Sequence, residues 1–154
     1  MKSRTTLVSL VVWLAAGAVC FASPQMGTWK LNAKKSKIGR GMGRNSIVKY
    51  EPAFLLRTKV TIDGTDAKGK AMHNEWVGAF DGRDYAVTGD PMSDTRSYSK
   101  VDDNTLNFWM KKGGKVMVTG KIVVAPDGKS RTVAAMGRNA KGKTVRTTAF
   151  YDKA

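Results

Sequence analysis

The chain has 154 residues, 27 Lys and Arg against 12 Asp and Glu, one histidine and one cysteine. One histidine rules out a metal site with several His or Cys ligands and any triad built on a second histidine. A net charge of +15 marks anions as the class of partner to weigh.

Met1 to Ala22 reads as an export signal. Lys2 and Arg4 make a short positive start, Leu7 to Val19 is uncharged and apolar, and Cys20-Phe21-Ala22 supplies small residues for cleavage after Ala22. The apolar run is short for a span, which needs about 20 residues. Cleavage leaves one domain, residues 23–154, with no cysteine and a charge of +13. Such a chain suits the periplasm or secretion and gains no stability from disulfides.

The exported part reads as strands separated by turns. The first strand is Met26 to Leu31. Asn32 to Asn45, rich in Gly and Lys and without helical period, reads as a long basic loop. Ser46 to Glu51 is a strand ended by Pro52. Phe54 to Ile62 follows, with Leu56, Thr58, Val60 and Ile62 on one face. Met72 to Phe80 aligns Trp76, Gly78 and Phe80. Tyr85 to Thr88, Thr95 to Val101 and Thr105 to Lys112 come next, the last with Leu106, Phe108 and Met110 on one side and Trp109 facing outward. Val116 to Ala125, Arg131 to Gly137 and Thr144 to Tyr151 complete about ten strands. The turn signals are Asp63-Gly64, Lys68-Gly69, Asp81-Gly82, Asp102-Asp103-Asn104, Gly113-Gly114, Pro126-Asp127-Gly128 and Lys141-Gly142. Gly120, in mid-strand, is expected to mark a bulge or bend. The pattern predicts an all-β, antiparallel up-and-down meander of about 8–10 strands closed into a barrel.

Chemistry is sparse. Asp81 and Asp84, and Asp90 and Asp94, are spaced as turn-stabilising carboxylates and match no calcium loop. Gly39-Arg40-Gly41-Met42-Gly43 neither follows a parallel strand nor opens a helix, so it is no phosphate cradle. No catalytic residue, metal or cofactor is implied. The positive charges are spread along the chain, which reads as solubilisation of exposed strand faces and protection of sheet edges.

Gly27-Thr28-Trp29-Lys30-Leu31 resembles the Gly-x-Trp opening strand of lipocalins and fatty-acid-binding proteins. The exported chain also resembles small exported bacterial proteins with a lipocalin-like domain, through Gly27-Thr28-Trp29-Lys30-Leu31-Asn32, Thr88-Gly89-Asp90-Pro91, Ser93-Asp94-Thr95-Arg96 and Tyr151-Asp152-Lys153. The resemblance implies a barrel closed by Trp29, with a cation from the last strand stacked on it, for which Arg146 is the partner at hand. If Trp76, Phe80, Tyr98, Phe108 and Met110 face inward, they either line a pocket for a small apolar or amphipathic ligand, with Thr58 and Arg96 as polar markers, or fill a narrow barrel completely; the resemblance favours the pocket. Arg96-Ser97-Tyr98 has the Arg-x-Tyr spacing of the fatty-acid carboxylate site but lies on an earlier strand, so that site is not carried over. The expected protein is a monomeric binder without enzymatic activity or affinity for nucleic acid. The alternative is a basic envelope-associated module that binds anionic lipid or polysaccharide.

Overall fold

The computed structural model describes residues 22–154; the expected export signal, apart from Ala22, lies outside the described residues. Ten strands follow in chain order: β1 (Gly27–Leu31), β2 (Arg44–Ala53), β3 (Arg57–Thr65), β4 (Ala71–Gly78), β5 (Tyr85–Thr88), β6 (Thr95–Lys100), β7 (Thr105–Lys112), β8 (Lys115–Val124), β9 (Ser130–Arg138) and β10 (Thr144–Lys153). Each pairs antiparallel with the next, and β1 pairs with β10, so the sheet closes into a barrel. Closure removes the unpaired edges an open sheet would expose. No helix occurs among the described residues.

Alternation selects the interior. Thr58, Val60 and Ile62 of β3, Asn74 and Trp76 of β4, and Leu106 and Phe108 of β7 are buried, while residues between them are more exposed. Trp109 is half-exposed.

Four expectations about local structure are corrected. Pro52 does not end β2 but lies within it, opposite Thr58. The turn is Phe54-Leu55-Leu56, and both leucines adopt a φ of 57°. Two successive residues at positive φ in a tight hairpin turn are normally Asn or Gly, because a Cβ crowds the backbone there. The register Pro52↔Thr58 and Ala53↔Arg57 imposes the turn despite the sequence. Leu56 is therefore fully exposed instead of facing inward. Asp63-Gly64 is no turn: it continues β3 opposite a register shift between Asn45 and Ile47. Gly120 marks no bulge, since the β7–β8 register shifts between Met110 and Lys111. Gly120 instead pairs with Phe108, and a Cβ there would stand 2.6 Å from the Phe108 ring and 2.5 Å from the Ala134 carbonyl oxygen. It is a glycine because a ring and a neighbouring strand need its space.

The two ends of the barrel differ. At one end the segment before β1 folds across the opening. The Gln25 side-chain amide donates to the Asn104 carbonyl at 3.1 Å, and Trp29 Nε1 donates to the Gln25 carbonyl at 2.9 Å. The connections 54–56, 79–84, 101–104 and 125–129 lie at this end. The connections 32–43, 66–70, 89–94, 113–114 and 139–143 lie at the other. The basic 32–43 loop is laid against β10 there by a Lys37↔Thr148 bridge and a bond from Gly39 N–H to Thr147 Oγ1 at 2.9 Å.

Candidate functional site

The closed end of the interior is filled. Arg131 of β9 is buried, and its guanidinium carbon sits 4.8 Å from the Trp29 ring centroid, 4.9 Å from Tyr50 and 5.0 Å from Tyr151. No carboxylate pairs with it among the described residues, so the negative ring faces carry its charge. Burial, opposed by the Arg131 charge, pushes the Tyr151 phenol up to about 12. The expected cation over Trp29, Arg146, is corrected: it is exposed on β10. Thr147, Ala149 and Tyr151 take the inward parity of that strand, which turns Arg146 outward. Lys153 is the second cation near Trp29, with Nζ 5.0 Å from the ring centroid.

Above this cap lies an aromatic cluster. Trp76 packs edge-on to Tyr98 at 4.8 Å and stacks with Phe80 at 6.3 Å, and Tyr50 reaches both Phe80 and Tyr98 at 6.4 Å. Trp76 Nε1 donates to the Arg96 carbonyl at 2.8 Å. Burial raises the Tyr98 phenol far above its ordinary value, so it stays neutral. Four expected pocket residues, Thr58, Trp76, Phe80 and Tyr98, belong to this packed half and do not line the cavity. Inward parity places them inside the barrel, but their height along its axis places them below the hollow.

The other half is hollow. A cavity of about 460 Å³ opens between the mouth connections. Arg96, Phe108 and Met110, also expected, do line it. So do residues that sequence reading missed: Met42, Met72 and Met92, the small Ala135 and Ala149, and Val118. Met72 and Asn74 share the parity of Trp76, a signal that could have found them. Met92 and Met42 lie in loops, where no period exists to read. Four of the chain's eight methionines thus face one space. Their unbranched, polarisable chains make a wall that adapts to differing apolar shapes.

Asn45, Asp66, Lys68 and Thr147 also line the cavity, and Asn74, Asp90 and Arg96 make a buried polar corner in it. Arg96 Nη2 donates to Asp90 Oδ2 and to Asn74 Oδ1, both at 3.2 Å. The Arg96 and Asp90 side chains are 3% and 4% exposed, so the pair is almost dry. The same carboxylate accepts from Met92 N–H at 2.9 Å and from Ser93 Oγ at 2.6 Å. Asp90 thus both shapes its turn and anchors the guanidinium. Arg96 Nε and Nη1 have no hydrogen-bond partner among the described residues. Both nitrogens are enclosed by protein, and the corner's two opposite charges cancel. No grouping of His, Cys, Asp and Glu suited to a metal ion occurs among the described residues.

No protein-family model matches the chain, and no curated protein does. Among solved structures, EF1p2_mFAP2b bound to DFHBI is similar in shape, with a TM-score of 0.49 and 10% identity over 85% of this chain and 94% of that one.

Proposed function

We propose that this protein is an exported, monomeric binder that encloses a small apolar or amphipathic molecule in the mouth-side cavity and performs no chemistry on it. The observation that carries this reading is the cavity itself: about 460 Å³, walled largely by methionine, phenylalanine, valine and alanine side chains, with a buried corner of Asn74, Asp90 and Arg96 and with Asn45, Asp66, Lys68 and Thr147 elsewhere in its lining. That volume lies within the range of small-molecule sites, and the balance of apolar wall to few polar groups is typical of them. The Asn74, Asp90 and Arg96 corner favours an amphipathic ligand, whose polar end would lie against it while its body fills the rest.

The test is uptake of an environment-sensitive apolar dye by two variants. Ala135→Phe fills the cavity with a ring, and Phe108→Asp places a carboxylate in its wall. Ala135→Phe should remain folded and lose dye binding by about tenfold or more. Unchanged uptake in both variants would refute enclosure. Denaturing protein taken from its native host and weighing what it releases identifies the ligand. N-terminal sequencing of the same material tests cleavage after Ala22.

A further inference from the structure

The meander collects charge that is scattered in the sequence. With one flanking residue on each side, the five mouth connections carry twelve Lys and Arg and three Asp, a balance of +9. The four closed-end connections, counted alike, carry four cations and five carboxylates, a balance of −1. The 32–43 loop alone supplies Lys34, Lys35, Lys37 and Arg40. Lys30, Lys49, Lys121 and Arg146 stand exposed on strand faces as expected, while the surplus of charge gathers at the mouth.

The twelve mouth cations are all exposed, and none lies within 4.0 Å of a carboxylate among the described residues; the ion pairs fall elsewhere. The three mouth carboxylates are turned to internal use. Asp66 accepts Lys68 and Lys70 N–H, Asp94 accepts Gly113 N–H, and Asp90 holds Arg96. Within the collar, Ala67, Pro91 and Ala140 are exposed and edge the cavity. Apart from Lys112, whose Nζ donates to the Pro91 carbonyl at 2.6 Å, the mouth therefore presents unpaired cations around a small apolar rim.

We propose that this end docks on an anionic lipid bilayer, with the cations among the headgroups and the apolar rim against the acyl boundary. A soluble polyanion would satisfy the collar but leave the rim in water; a bilayer satisfies both. Docking in this orientation sets the cavity aperture on the lipid, so an amphiphile could enter without crossing bulk water. That use of the docked state rests on the enclosure reading, whereas docking does not.

The experiment is co-sedimentation with phosphatidylcholine vesicles, with and without one-third phosphatidylglycerol. Wild type should bind the anionic vesicles and release them as salt rises. Each cation removed from the surface should weaken binding about fivefold, so replacing Lys34, Lys35, Lys37 and Arg40 by Gln should cost about 10²-fold or more. The matched closed-end variant, with Arg57, Arg83, Lys100 and Lys129 replaced by Gln, should bind like wild type. Equal losses in the two variants, equal binding to neutral vesicles, or tighter binding to dextran sulfate than to vesicles of equal charge would each overturn the proposal. Dye uptake is measured in all variants without vesicles, which separates a failure of docking from a failure of enclosure.

Discussion

Replacing Arg131 by Met removes a buried charge while keeping most of the side chain's length. In the wild type the guanidinium stands 4.8–5.0 Å from three ring centroids. A desolvated cation–ring contact is worth up to about 2 kcal/mol, and one charge shared by three rings yields less than three times that, about 3–5 kcal/mol. Against this stands the cost of burying a cation that no carboxylate pairs, and its Nε and Nη1 find no acceptor among the described residues. If the rings win, Arg131→Met should destabilise by about 2–3 kcal/mol. Urea unfolding followed by tryptophan emission measures it. A double-mutant cycle with Trp29→Phe should return a coupling of about 1 kcal/mol, since the two groups touch. A variant as stable as wild type, or more stable, would show the charge to be a net cost and the ring cage mere packing.

The hairpin tip gives an opposite expectation. Leu55 and Leu56 hold φ of 57°, and replacing them by Asn and Gly should relieve about 1–2 kcal/mol of left-handed strain, raising Tm by about 3–6 °C in calorimetry. No change would mean the turn relaxes at no cost. A pH effect is expected at His73, whose Nδ1 lies 2.6 Å from Asp63 Oδ1 and whose Nε2 lies 3.5 Å from Glu75 Oε1. The hydrogen bond to Asp63, then that to Glu75, raises its pKa above 6.5. A raised folded value means that the contribution is fully present below the unfolded pKa and fades as pH rises through the folded one. NMR titration should place the His73 midpoint above 6.5, and the stability gap to His73→Gln should close on passing it. A gap that widens with pH would reverse the assignment.

Much of the fold is legible because turn chemistry and alternation are local. Asp81-Gly82, Gly113-Gly114 and Lys141-Gly142 each stand between paired strands, as their residue types predict. The failures have physical causes. Phe54-Leu55-Leu56 carries no turn signal, and its conformation is imposed by the pairing of β2 with β3. Parity along a strand tells inward from outward but not height along the barrel axis. It therefore found Arg96 and Phe108 in the cavity and could not tell them from Trp76 and Tyr98, which are packed beneath it. Arg131 escaped notice because a buried arginine without an acid is improbable until three rings converge on it from β1, β2 and β10. The basic collar is invisible in one dimension: an up-and-down chain sends every second turn to the same end, so lysines dozens of residues apart become neighbours.

The plug of Gln25, Trp29 and Arg131 leaves the barrel a blind tunnel. Whatever occupies it must leave by the door through which it came. A newcomer cannot push from behind, so it waits for the resident to go. Exchange is then a queue, paced by the departing molecule however crowded the line outside.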